Sequence, residues 1–286
     1  MKILVTGIKG QLGFDCMREL SARHIDCVGA DRDEFDITDY EACERFITHH
    51  MPDVVIHCSA YTAVDRAEDE IDICRRVNVD GPHNIAKVCK QINAKMIYIS
   101  TDYVFSGTGE TFYAPENATS PCNVYGDSKL QGENAVREVL DKYFIVRSSW
   151  CFGIYGNNFI KTMLKLAKDR TELNVVDDQF GSPTYTKDLA ILLVDMASSD
   201  KYGIYHATNE GICNWAEFAE AIFEAAGITH MTVNHVPSDQ YPTKAVRPKN
   251  SRMSKDKLEK SGFNRLPTWQ DALKRYIEEL KNTKAL

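Results

Sequence analysis

The chain has no C-x-x-C pair, no H-E-x-x-H string, no excess of basic residues and no apolar run approaching the about twenty residues of a membrane span. Its nine cysteines (Cys16, Cys27, Cys43, Cys58, Cys74, Cys89, Cys122, Cys151 and Cys213) are scattered and odd in number. That pattern argues against a zinc site or a disulfide framework and suits a reducing cytosol. The eight histidines, the His49-His50 pair included, fall in no metal-binding spacing. A catalytic metal is therefore not expected, and a structural Mg2+ is left open with no ligand pattern to support it. The opening MKILVTG runs into a strand rather than an apolar leader with a small-residue cleavage site, so a cytoplasmic protein is expected. With 41 acidic against 34 basic residues and a formal charge of −7, the chain lacks the basic footprint of a nucleic-acid binder. Neither nucleic acid nor membrane is an expected partner, and an anionic ligand must be held by local donors.

Against these absences stands a regular alternation. KILVTG (2–7), DCVGAD (26–31), DVVIHCSA (53–60), KMIYIS (95–100) and YFIVRSS (143–149) read as strands, with amphipathic helical patterns between them. Strands apolar on both faces imply a parallel sheet covered by helices on either side, with ligands outside the strands' carboxyl ends. The expected fold class is α/β, a Rossmann-type doubly wound parallel sheet with a smaller C-terminal α/β substrate-binding part. After Trp150 the rhythm loosens into GIYGNNF (153–159), DDQFGSPTY (177–185) and YPTKAVRPKNSRMS (241–254). The division expected is a dinucleotide-binding domain over 1–150 and a mainly substrate-binding domain over 151–286, with room for the chain to cross back.

Gly7, Gly10 and Gly13 follow the first strand and open a helix near Gln11. Glycine suits these places because backbone must turn tightly and approach a pyrophosphate, whose charge the free N–H groups of a helix start can meet. The spacing is G-x-x-G-x-x-G rather than the commoner G-x-G-x-x-G, so position carries the argument: the loop ends a first strand, and Asp31 ends the second. Gly7, Gly10, Gln11, Leu12 and Gly13 are the candidate pyrophosphate contacts. Asp31 can accept from the adenosine ribose hydroxyls of NADH, while Arg32 can instead pair with the 2′-phosphate of NADPH. Asp36 and Ile37 either reach the adenine or simply start a helix.

Ser100-Thr101-Asp102-Tyr103 ends the fourth strand, and Tyr125 and Lys129 lie four apart on the helix that follows, on one side of it. A ketone accepting hydride from a nicotinamide develops negative charge on oxygen, which needs a hydrogen-bond donor and then a proton. Thr101 and Tyr125 can supply these, and a nearby cation is expected to lower the phenol's pKa. Trp150 either stacks on a hexose face or caps the core. Arg247 either grips a diphosphate or is a solubilising charge. Cys58 is read as a small hydrophobe without chemistry.

The glycine loop, the strand-end hydroxyl and the Tyr/Lys pair together resemble the short-chain dehydrogenase/reductase pattern in its extended form, where Asn78 of RVNVDG resembles the catalytic asparagine. GQLG (10–13), CSAYTAVDRAE (58–68), STDYVFSG (100–107), NVYGDSK (123–129), SSW (148–150), GNNF (156–159), DQFGSP (178–183) and RPKNSR (247–252) narrow the resemblance to the dTDP-4-dehydrorhamnose reductase family, in order along nearly the whole chain. The resemblance implies reduction of a nucleotide-linked 4-keto sugar by NADPH or NADH, with Lys129 also holding the nicotinamide ribose. It implies that Ala60, Tyr61 and Thr62 border the cofactor, and that Thr101, Asp102, Tyr103, Trp150, Asn158 and Arg247 meet the nucleotide sugar. A monomer or homodimer is expected. A dehydratase of this superfamily carries Asp-Glu where this chain has Asp102-Tyr103, which argues against water elimination. The alternatives are another nucleotide-sugar epimerase or reductase, and a non-catalytic regulatory subunit resembling the beta subunit of methionine adenosyltransferase.

Overall fold

The computed structural model describes residues 1–283. Its first half alternates β1 (Lys2–Thr6), α1 (Gln11–Ala22), β2 (Asp26–Ala30), α2 (Tyr40–His50), β3 (Val54–His57), α3 (Gly81–Gln91), β4 (Lys95–Thr101), α4 (Val124–Val139) and β5 (Tyr143–Ser148). Then come α5 (Phe159–Leu166), α6 (Thr186–Ala197), β6 (Gly203–His206), α7 (Trp215–Ala226) and α8 (Trp269–Asn282), with short two-stranded pairings among them. The main sheet is parallel throughout, in the order β6-β5-β4-β3-β1-β2. The order reverses between β1 and β3, the place where a doubly wound sheet opens a ligand crevice.

Alternate residues of each strand serve opposite faces, as the pleat requires. Ile3, Val5, Val54, Ile56, Ile97, Phe144 and Val146 pack with Leu12 and Cys16 of α1 and Leu189 and Leu193 of α6. Leu4, Val55, Met96, Tyr98 and Ile145 pack on the other side with Cys43 and Ile47 of α2, Ile85 and Val88 of α3, and Val136 of α4. Helix α6 and strand β6 lie beyond residue 151 and pack with this first sheet. A second core gathers Phe152, Ile160 and Leu164 with Phe218, Ile222, Trp269 and Tyr276 from α7 and α8. Strand β6 is missing from the sequence reading because GIYH is only 4 residues long and lies where the strand–helix rhythm has loosened.

The helix that carries Tyr125 and Lys129 is set unusually close to its neighbours. Asn123 caps α4 by accepting from the Gly126 N–H at 2.7 Å. A β-carbon on Gly126 would lie 2.2 Å from the Tyr103 carbonyl oxygen, and one on Gly132 would lie 2.2 Å from the Asn78 carbonyl oxygen and 2.4 Å from the Tyr98 hydroxyl. Only hydrogen fits at either place. We predict that Gly126→Ala, an otherwise helix-favouring change, destabilises the protein by about 1–3 kcal/mol through overpacking and lowers the melting temperature by several degrees. An unchanged or raised melting temperature in calorimetry would contradict this seating.

Candidate functional site

A cleft of about 610 Å3 opens over the carboxyl ends of β1, β2 and β3, lined by Thr6, Gly7, Gly10, Asp31, Ile37 and Ala60 among others. Gly7 takes φ +73°, and a β-carbon there would meet the Ser59 backbone nitrogen at 2.8 Å. A β-carbon on Gly13 would lie 2.2 Å from the Gly7 carbonyl oxygen, so the loop folds directly onto the first turn of α1. The loop is tied to β2 by the Gly7 N–H donating to the Ala30 carbonyl at 2.8 Å. Gly10 caps α1 without a side-chain cap, and the first turn carries no acidic residue. Free N–H groups at an uncapped helix start, with no competing carboxylate, fit a pyrophosphate.

Asp31 accepts from the Lys9 backbone N–H at 3.0 Å and from the Arg32 N–H at 2.8 Å, bracing the glycine loop from the end of β2. Asp36 lines the cleft and accepts from the Thr38 N–H and hydroxyl, both at 2.9 Å, and the backbone bond chiefly lowers its pKa. Arg32 and Ile37 also line the cleft. Of the other candidates for cofactor contact, Leu12 is buried in the core and Gln11 turns its side chain elsewhere, accepting from the Gly153 N–H at 2.8 Å and from Asn158 at 3.0 Å. Tyr61 donates to Glu70 at 2.6 Å, and Thr62 is exposed. The sequence reading missed Lys9, Ser59 and Arg76, which line the same cleft, the first two from loops and Arg76 from the start of a short helical turn.

Asn78 lies in a π-helical turn, Arg76–Asp80, that leads into α3, and is 1% exposed. Its side chain accepts from the Tyr61 N–H at 2.8 Å and donates to the Tyr61 carbonyl at 3.0 Å and to Ser128 of α4 at 2.9 Å. It therefore ties the 60–62 stretch to the helix of Tyr125. Such turns place a side chain that a regular helix would rotate away.

Beside the cleft, Thr101 ends β4, and its hydroxyl donates to Asp102 at 2.9 Å while accepting from the Tyr103 N–H at 3.2 Å. Asp102 is buried and also accepts from Ser251 of the late RPKNSR stretch. Burial raises its carboxyl to about 6, against the pull of the Ser251 and Thr101 hydroxyls. Tyr103 meets the Tyr125 ring edge-on, with centroids 5.5 Å apart. Burial also pushes the Tyr125 phenol well above its ordinary value, with the Thr101 hydrogen bond acting the other way. That differs from the lowering expected from a neighbouring cation: desolvation of the phenolate is the largest effect, and Asp102 and Tyr103 add to it. Burial pulls the Lys129 ammonium down to about 7.

Trp150 takes φ +49°, a strained conformation for a bulky residue, and stacks on Trp215 with centroids 3.7 Å apart. A β-carbon on Gly181 would lie 2.9 Å from the Trp150 ring, so the DQFGSP glycine makes room for it. Arg247 makes a bidentate pair with Asp65 at 3.0 and 2.6 Å. Asn158 caps α5 by accepting from the Lys161 N–H at 3.0 Å and donates to Gln11, to the Gly153 carbonyl and to Tyr276. The structure thus brings Thr101, Asp102, Tyr103 and Tyr125 together, and sets Asn158 on the seam between α1 and the C-terminal core. Among the described residues no three His, Cys, Asp or Glu side chains converge on a possible metal position.

Strand-end chemistry of this kind on a doubly wound sheet belongs to the extended short-chain dehydrogenases and reductases, and that is the class in which this chain falls. Residues 1–282 match the family model described as the RmlD substrate binding domain, and the chain belongs to that family. It is 37% identical to the dTDP-4-dehydrorhamnose reductase of Escherichia coli K12, covering 100% of both chains. It is 39% identical to the spore coat polysaccharide biosynthesis protein SpsK of Bacillus subtilis 168, covering 97% of each. The crystal structure of the Bacillus anthracis dTDP-4-dehydrorhamnose reductase in complex with NADP superposes with a TM-score of 0.94 at 41% identity, covering 97% of this chain and 99% of that one.

The buried groups predict a definite pH response. His57 at the end of β3 and His206 at the end of β6 are each 1% exposed, and burial drives both to about 3. Their native values lie below the unfolded value near 6.5, so the unfolded chain binds the extra protons and stability is lost as pH falls below about 6.5. Asp102 works the other way, since its native value lies above the unfolded one and stability is gained as pH falls through 6. Between pH 7 and pH 5 each histidine costs about 2 kcal/mol and Asp102 offsets about 1, a net loss of about 3 kcal/mol. Urea titrations at the two pH values measure it directly, and equal unfolding free energies would contradict the buried, neutral histidines.

Proposed function

We propose that the protein reduces the C4 ketone of dTDP-4-dehydro-L-rhamnose to dTDP-L-rhamnose with NADPH or NADH. It would do so as a cytoplasmic monomer or homodimer supplying rhamnose to cell-surface polysaccharide. The names of its full-length relatives support the substrate. The observation that carries the reaction type is the meeting of Tyr125 and Thr101 beside a cleft built for a dinucleotide, with Lys129 one turn further along the helix of Tyr125.

Gly7, Gly10 and Gly13 hold the pyrophosphate on the start of α1, and Asp31 with Arg32 receives the adenosine ribose. When bound, the nicotinamide supplies the hydride. Everything else falls to side chains. The Tyr125 phenol, kept protonated by burial, donates to the ketone oxygen and yields its proton as negative charge develops there. Lys129, one turn on, holds the nicotinamide ribose and favours the phenolate that forms. Thr101 positions the same oxygen. Its proton points at Asp102 while that carboxylate is ionised, which leaves Tyr125 as the proton donor.

Asn78 acts as a brace for Tyr61 and α4. Asp102, Tyr103 and Trp150 border the sugar, and Arg247 meets the diphosphate from its pairing with Asp65. Asn158 and Gln11 join the pyrophosphate helix to the C-terminal part. Tyr103 stands where a dehydratase of this superfamily carries a glutamate, which argues against water elimination.

NADPH or NADH oxidation at 340 nm with dTDP-4-dehydro-L-rhamnose tests the reading. The wild-type protein should turn over, and Tyr125→Phe should lose at least about 100-fold in kcat with cofactor affinity nearly unchanged. Undiminished turnover by that variant would sink the mechanism, and no oxidation by the wild type with any 4-keto nucleotide sugar would sink the function.

A further inference from the structure

Lys129 is 2% exposed, yet among the described residues no carboxylate stands within ion-pair distance of its ammonium. Glu133, one turn further along α4, is taken up by Arg147 of β5 at 2.8 and 2.7 Å and by the Ser100 hydroxyl of β4 at 2.5 Å. The groups that face the ammonium from other elements are Tyr98 of β4, Cys74 of the short helix Ile71–Arg75, Cys58 just beyond β3, and His57 at the end of β3. His57 is neutral near pH 7, and burial raises the Cys74 thiol. Glu133 favours the cation from beyond ion-pair distance, and the direct contact that does so is Tyr98, whose ring centroid lies 4.1 Å from Lys129 Nζ. A desolvated ammonium over an aromatic face gains enough to shift its protonation equilibrium roughly ten- to thirtyfold.

Tyr98 is held for this task on every side. It is fully buried, and its hydroxyl lies 3.4 Å from the carbonyl oxygens of both Asn78 and Lys129, to which it donates. Gly132 lets α4 press on that hydroxyl, since a β-carbon there would lie 2.4 Å from it. The His57 ring lies nearly parallel to the phenol at 5.9 Å, and His57 Nδ1 pairs with the Thr6 hydroxyl at 2.8 Å. Thr6 itself lines the cofactor cleft. A ring needed only to fill the core would not have a buried, otherwise unpaired ammonium set over its face.

We propose that Tyr98 is a positioning residue for the reduction: its ring face holds the Lys129 ammonium in place and in the charged form, one turn from Tyr125. The inference rests on the reductase reading of the site. Burial alone drives Lys129 toward the neutral amine, and an amine neither holds the ribose as firmly nor stabilises the phenolate. The aromatic face opposes that loss without adding a carboxylate that would pin the lysine away from the cofactor.

The test compares wild type, Tyr98→Phe and Tyr98→Leu by NADPH fluorescence titration and by kcat/KM, each across pH 6 to 9. Tyr98→Leu should move the alkaline inflection of both profiles down by about one pH unit and weaken NADPH binding at pH 8 roughly tenfold. Tyr98→Phe keeps the ring and should retain the wild-type inflection, whatever it loses in stability. If Tyr98→Leu does not fold, pentafluorophenylalanine in place of Tyr98 keeps the shape and reverses the ring's electrostatics, with the same downward shift expected. An unmoved inflection in the ring-lacking or fluorinated protein, or an equal shift in Tyr98→Phe, would overturn the proposal. Binding is read without the sugar, so a wild type that binds NADPH but reduces no keto sugar would remove the reductase reading alone.

Discussion

The seating of α4 against β4 and the π-helical turn is the contact on which the rest of the site depends. Two glycines, Gly126 and Gly132, remove the β-carbons that would otherwise hold the helix away from Tyr103, Asn78 and Tyr98. Because the helix can close that distance, Tyr125 comes to the end of β4 where Thr101 and Asp102 wait, and Lys129 comes over the Tyr98 ring. Asn78 fastens the arrangement through Ser128 and carries it to the Tyr61 backbone beside the cofactor cleft. Sequence supplies small residues, small residues supply approach, and approach supplies chemistry.

Desolvation then sets the protonation states. The same burial that raises the Tyr125 phenol and the Asp102 carboxyl pulls Lys129 down. A protonated phenol is the form a proton donor to an alkoxide requires, so the dry site works in the direction of reduction. Beneath it the Glu133–Arg147 pair is buried, 1% and 3% exposed, and satisfied by Ser100 and the Pro115 carbonyl. A buried pair of this kind adds little net stability, and Glu133 still favours the charged form of Lys129 from beyond ion-pair distance.

Five of the six sheet strands, the glycine loop with Asp31, and the Tyr125–Lys129 pair are legible in the sequence because each is local: a run, a turn or a helical spacing. What sequence leaves dark is long-range. Ser251 reaches Asp102 across 149 positions, Arg247 reaches Asp65 across 182, and Gln11 reaches Gly153 across 142. No periodicity encodes such pairings. The phenol pKa, expected to be lowered by a nearby cation, is raised instead for a related reason, since burial is a property of the assembled fold. The alternatives for Trp150 also turn on a distant residue, Trp215, which takes one face of its ring.

The central claim is that this site delivers a hydride to the C4 ketone of a nucleotide-linked sugar while Tyr125 delivers the proton. Turnover of dTDP-4-dehydro-L-rhamnose with NADPH deuterated at nicotinamide C4 tests it most directly. The account predicts one deuterium at sugar C4 of the dTDP-L-rhamnose product, matched one for one with NADPH oxidised when the transferred face carries the label. Deuterium at any other carbon, or product formed without net NADPH oxidation, would contradict it.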